Sequence, residues 1–304
     1  MFFRGSDFGI RISFGPSPAS EFGFPPPAAG AGRAADGRNI GLAGARGFSA
    51  RCAGVIRVEQ LSFHYPDGRA ALREVSFSVA DGETVGLIGP NGAGKSTLLL
   101  HLNGLLGQPP APEGRVTVDD LPVAEPHLAE IRRRVGLLFQ DPDDQLFCTT
   151  VAEDVGFGPR QLGLSPEEIP RRVTDALRQV ELEGFAGRVP QHLSLGEKKR
   201  VALAGVLACR PRVLLFDEPT ANFDPRGRRE FIALCRRLPA TKLIASHDLE
   251  MILALCDRVL VLDGGRLVAE GETRAVLGDE PLMLAHGLEK PHSLFHRHPH
   301  GEQP

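Results

Sequence analysis

The stretch Glu83–Leu106, "ETVGLIGPNGAGKSTLLLHLNGLL", decides the fold. Its first part is a short apolar run of the kind that fills a buried strand, its middle is rich in glycine, and its last part carries leucines at helical spacing. Strand, glycine loop and helix in this order are the context in which a phosphate loop works. The loop fits G-x-x-x-x-G-K-[ST] at Gly89, Gly94, Lys95 and Ser96. Glycines let the backbone, here Gly89, Pro90, Asn91, Gly92, Ala93 and Gly94, close around a triphosphate. The N–H groups of the loop and of the helix start, through Thr97, face the negative charge; Lys95 reaches the β- and γ-phosphates and Ser96 offers an oxygen to Mg²⁺. The predicted ligands are therefore ATP and Mg²⁺.

Downstream, "VLLFDEPT" places four apolar residues before Asp217 and Glu218, so both acids emerge at the end of a buried strand, where open α/β sheets bind ligands. Asp217 suits the Mg²⁺ shell and Glu218 the abstraction of a proton from an attacking water. Further strands are expected in "IRVEQLSFHY", in "EVSFSVADG" after a turn "PDGRAAL", and in "RVGLLFQ", "TKLIASHD" and "DRVLVLDGGRLVAEG". Helices are expected in "RGRREFIALCRRL" and "DLEMILALC", and residues 150–210 read as mostly helical, with Ser165 capping one helix. The fold class is α/β: a P-loop NTPase with a mainly parallel sheet, an N-terminal antiparallel β subdomain and an inserted α-helical subdomain.

Composition narrows the function. A chain of 304 residues with 42% apolar and 24% charged residues can bury a core, and a formal charge of −3 gives no general attraction to nucleic acid. Five scattered cysteines without a C-x-x-C pair argue for reduced thiols in a cytosolic setting. No stretch reaches the roughly 18 apolar residues that cross a bilayer, so membrane contact is expected only through partners. Residues 1–54 are rich in Gly, Ala, Pro and Ser and are read as a disordered extension; an Arg-rich presequence and an over-extended gene start before Val55 are the other readings. Residues 55–275 form the nucleotide-binding domain and 276–304 a His-rich tail.

The segment "QHLSLGEKKR", Gln191–Arg200, explains itself locally as a helix start, because Ser194 and Glu197 are spaced as a capping box. With the phosphate loop and the paired acids it does more: the sequence from Val55 to about residue 275 resembles the ATP-binding cassette (ABC) family, whose signature is usually L-S-G-G-Q. The resemblance implies that Ser194 and Gly196 meet an ATP held mostly by a second subunit. Leu195 stands where Gly is usual and Glu197 where Gln is usual. It further implies that Tyr65, the single tyrosine, stacks on adenine, that Gln140 touches Mg²⁺ or water and senses the membrane partner, that Asp224 is the D-loop acid, and that His247 contacts the γ-phosphate.

Within the family, "FQDPDDQLF", "EDVGFGP", "LGEKKRVALAGVLA" and "DPRGRRE" look like the ATPase of energy-coupling-factor importers, most closely the cobalt/nickel branch. The His-rich end "HGLEKPHSLFHRHPHGEQP" agrees with that, since imidazole suits Co and Ni; a solvated polar end is the plainer reading. The resemblance implies a peripheral subunit on the cytoplasmic face of the membrane. Its partners are a second ATPase subunit, identical or paralogous, a transmembrane coupling protein and a substrate-binding membrane component; no nucleic acid is expected. Residues Gln140–Phe147 with the helical middle would receive the coupling protein. Other readings are a vitamin importer or exporter subunit, a soluble ABC ATPase, which usually carries two cassettes, and a P-loop kinase, which has no use for "LSLGE".

Overall fold

The computed structural model describes residues 54–106 and 113–294. The expectations for residues 1–53 and for His296, His298 and His300 lie outside the described residues.

Strand β1 (Gly54–His64) pairs antiparallel with β2 (Ala70–Ala80) through the tight turn at Tyr65–Arg69. The turn is shorter than the sequence suggested, because Ala70 and Leu72 already pair with β1 and Leu72 is fully buried. The buried strand β3 (Thr84–Ile88) leads through the glycine loop into α1 (Lys95–Leu102). Two further strands, β4 (Glu113–Val118) and β5 (Leu121–Pro122), and a short helix, α2 (Leu128–Arg134), were not anticipated. β4 pairs antiparallel with β1, completing a four-stranded sheet in the order β2-β1-β4-β5.

β6 is confined to Val135–Leu138, so the chain leaves the sheet before Gln140. The helical middle consists of α3 (Val151–Gln161), α4 (Glu168–Gln179) and α5 (Leu195–Ala208). Thr150 and Glu153 form a capping box at α3. Helix α4 starts two residues later than expected from Ser165, with Glu167 at the N-cap position. That hydroxyl still accepts from the Glu168 N–H at 3.3 Å, in the turn before the helix.

The remaining elements alternate: β7 (Val213–Asp217), α6 (Pro225–Arg237), β8 (Thr241–Ala245), α7 (Leu249–Leu255), β9 (Arg258–Asp263) and β10 (Arg266–Glu272). They build a six-stranded sheet, β10-β9-β3-β8-β7-β6, parallel except for the edge strand β10. β7 and β8 are buried along nearly their whole length, including Thr241 and Lys242 at the start of β8, because helices cover both faces, whereas β10 alternates half-buried and exposed positions as an edge strand does.

The core extends past residue 275. Val276 and Leu277 of α8 (Thr273–Gly278), Met283 of α9 (Glu280–Ala285) and Leu288 are buried in it, so the boundary expected at 275 falls inside a packed helix. Pro291 is buried as well, and Ser293 donates through its N–H and hydroxyl to Glu250 on α7.

Candidate active site

β3 delivers the loop, and β7, two strands away across β8, delivers the acids. Gly89 (φ 152°) and Gly94 (φ 105°) sit where side chains do not fit: a Cβ on Gly89 would lie 1.9 Å from the Leu262 carbonyl oxygen, and one on Gly94 2.5 Å from that of Ala71. Gly92 (φ 78°) faces open space, with Asn91 and Gly92 exposed beside the buried Ala93. The loop is thus anchored at its ends and presents its middle. The first helical N–H groups of α1 lack partners within the helix, which fits an anion at this point.

Lys95 is buried and donates to the carbonyls of Gly89 (2.8 Å) and Pro90 (3.2 Å). Its ammonium also lies 3.9 Å from Glu218 Oε1. Burial lowers its pKa, and the charges of Glu218 and Asp217 oppose the shift. At Asp217, burial raises the pKa, against a hydrogen bond from Ser96. Oδ1 of Asp217 is buried with no hydrogen-bond partner, a costly arrangement for a carboxylate oxygen. An orphaned carboxylate oxygen beside a serine hydroxyl on the phosphate loop fits Mg²⁺, a hard cation that takes oxygen ligands and would neutralise phosphate charge. Ser96 and Asp217 would hold it.

Glu218 has an unusual backbone (φ 42°) and a buried side chain. Its Oε2 accepts from Ser246 Oγ (3.2 Å) and from the His247 N–H (3.1 Å), and lies 2.7 Å from His247 Nδ1. The loop after β8 therefore fixes the carboxylate, while the imidazole of His247 stays largely exposed.

Other residues singled out in the sequence stand around this centre. Tyr65 donates or accepts a hydrogen bond with Thr97 Oγ1 at 2.9 Å, and the Arg69 guanidinium lies 4.9 Å from its ring centroid. Gln140 is exposed between β6 and the 3₁₀ turn Pro142–Asp144. Asp224 caps α6, accepting from the Gly227 N–H at 2.6 Å. Ser194 caps α5 in a complete capping box with Glu197. The hydrogen bonds of Ser194 stay within this first turn, and Gly196 faces open space, so neither meets the phosphate loop of its own chain.

Sequence reasoning missed Ser246 and Lys199. Ser246 Oγ, fully buried, also accepts from the Asp248 N–H (3.0 Å). Lys199 is 1% exposed on α5, and its amine donates to the main-chain oxygen of Glu218 at 3.1 Å. Its signal was present: Leu195, Lys199, Ala202, Leu203 and Val206 share one helix face, so a lysine occupies a core position.

A glycine loop and lysine at a helix start, facing two acids and a histidine across the C-terminal ends of parallel strands, define a P-loop ATPase. The sequence matches the family model described as ABC transporter over residues 72–221. A protein of Gloeobacter violaceus described as an ABC transporter ATP-binding protein is 53% identical over 78% of this chain and 97% of its own length. The energy-coupling factor transporter ATP-binding protein of Carboxydothermus hydrogenoformans is 47% identical over 78% of this chain and 87% of its own. Among solved structures, cbiO1 of Clostridium perfringens, part of the ABC transporter complex cbiONQ, is similar with a TM-score of 0.68 and 37% identity, over 77% of this chain and 94% of that one. The chain belongs to the ATP-binding subunits of ABC transporters, and its activity is ATP hydrolysis coupled to transport.

Proposed function

We propose that two such subunits close head to tail over two ATP molecules and that closure powers import of a divalent transition metal, cobalt or nickel. The observation that carries the dimer is the position of Ser194 and Gly196. They form a capped, outward-facing helix start of the kind that binds anions, yet their own chain offers it no phosphate. A second subunit with its ATP completes the contact, and one cassette per chain suits a two-fold homodimer as well as a paralogous pair. In each composite site Lys95 and the loop N–H groups hold the phosphates, His247 meets the γ-phosphate, and Glu218 takes the proton of the attacking water. Tyr65 receives adenine, Gln140 lies beside the reacting centre, and Asp224 sits on the face between subunits.

Phe147, 43% exposed and edge-on to Phe157 at 4.9 Å, supports a docking groove for a helix of a membrane partner. Leu146 is buried, so Phe147 alone reports on that groove. No described helix is long and apolar enough to cross a membrane, and we place the subunit peripherally, on the cytoplasmic face, against a coupling protein and a substrate-binding component. The metal reading rests on similarity to cbiO1 and on the His-rich end, where His292 precedes three further histidines in sequence.

The dimer is tested by mixing two inactive subunits, Lys95→Ala and Ser194→Arg. Random exchange puts both lesions in one site and leaves the other intact in half of the dimers, so about a quarter of wild-type ATPase should return if the sites act independently. No recovery despite demonstrated subunit exchange would show that Ser194 does not act in trans. Uptake of Co²⁺ or Ni²⁺ by vesicles carrying this subunit with its membrane partners tests the cargo; ATP-dependent uptake of another solute, but of neither metal, would refute it.

A further inference from the structure

Lys199 joins elements that the site otherwise holds apart. It lies on α5 five residues after Ser194, about 7.5 Å along the helix axis. Its buried amine donates to the Glu218 carbonyl, and the same oxygen accepts from the Ala221 N–H at 3.1 Å. The Phe223 ring, beside Asp224, lies 5.8 Å from the amine. Asp141, adjacent to Gln140, and the carboxylates of Asp217 and Glu218 act on its charge, while burial lowers its pKa to about 8. One cation thus faces the segments around Gln140, Glu218 and Asp224 from the helix that begins at the signature.

A lysine in such a place is expensive. Burying its charge costs stability, and an apolar residue of similar volume would cost less. What the amine supplies is a second donor to one carbonyl, at a residue whose backbone occupies the left-handed region and whose next residue, Pro219, has no N–H to offer. Holding that peptide plane sets the direction in which the Glu218 side chain leaves the backbone.

We propose that Lys199 is a positioning residue for the hydrolytic step: it fixes the Glu218 main chain and ties it to the rigid helix whose first turn meets the partner's ATP. Movement of the signature end of α5 on dimer closure is then transmitted to the carboxylate that receives the proton. The proposal rests on Glu218 being that base, and the test separates the two.

Steady-state ATPase and ATP binding are measured on the full chain for Lys199→Met, Lys199→Gln and Glu218→Gln, with thermal melts of each. Methionine keeps the volume and removes the donor; kcat should fall about tenfold or more, as expected for a lost hydrogen bond from a charged group at the catalytic step, with KM for ATP within about twofold. Glutamine retains an N–H donor and should recover kcat to within about threefold of wild type. If Lys199→Met does not fold, Lys199→Gln decides alone: a folded variant with about hundredfold lower kcat overturns the proposal. It is equally overturned if Lys199→Met turns over within about twofold of wild type while Glu218→Gln is inactive, or if the loss falls on KM. Wild-type turnover by Glu218→Gln would instead remove the base on which the proposal rests.

Discussion

Replacing Glu218 by glutamine separates binding from hydrolysis, and the geometry sets how large each effect should be. The glutamine carbonyl can take the place of Oε2 and keep the hydrogen bonds from Ser246 Oγ and the His247 N–H. What disappears is the basic oxygen and the charge 3.9 Å from Lys95. Lys95 retains its bonds to Gly89 and Pro90, so the fold should lose only about 1–2 kcal/mol, less than the full penalty for breaking a buried pair. For a domain of this size that is a fall in Tm of about 2–8 °C. Turnover should fall about 10²- to 10⁴-fold, the usual worth of a positioned general base. ATP affinity should hold or tighten, because the phosphate side of Lys95 no longer competes with a carboxylate. Phosphate release, calorimetric ATP titration and size-exclusion chromatography with ATP measure the three quantities. The variant should elute as an ATP-trapped dimer. Hydrolysis within tenfold of wild type by a folded, ATP-binding variant would refute Glu218 as the base.

Asp217→Asn should raise the melting temperature without nucleotide by a few degrees while abolishing Mg²⁺-dependent hydrolysis, because burial already disfavours the charged carboxylate; a lower Tm would show that its charge is balanced in the fold. Gly94→Ala brings a Cβ against the Ala71 oxygen in a backbone region that side chains avoid, and should cost about 2–4 kcal/mol in denaturant unfolding and most ATP affinity. His101 concerns acid stability. Burial lowers its pKa from 6.5 to about 4, so as pH falls through this window the unfolded chain takes up the proton first and the fold loses stability. His101→Leu should remove about 2–3 kcal/mol of that acid loss between pH 6.5 and 4; an unchanged acid limb in paired denaturant curves would contradict it.

The phosphate loop was legible in the sequence because its chemistry is local: Gly89, Gly94, Lys95 and Ser96 act through one continuous stretch of backbone. The buried strand before Asp217 and Glu218, and the capping box at Ser194, were legible for the same reason, since apolar runs and i, i+3 pairs record their own geometry. β4 and β5 were not, because short antiparallel strands gain their identity from a partner: β4 from β1, more than fifty residues away, and β5 only from β4 once that pairing is made. Nor could the sequence tell Leu146 from Phe147, adjacent apolar residues of which one enters the core and the other faces outward. Nor could local spacing show that Val276 and Leu277, just past the boundary expected at residue 275, are claimed by a core assembled from distant elements. Lys199 sits at a core position readable from helical spacing, but its partner is a carbonyl nineteen residues away on another element. Which oxygen a buried amine meets depends on how α5 packs against β6, next to the loop that follows β7. Local chemistry determined that this chain binds a nucleotide; tertiary packing decided what holds the Glu218 carboxylate, because burial and long-range hydrogen bonds exist only once the helices and sheet have met.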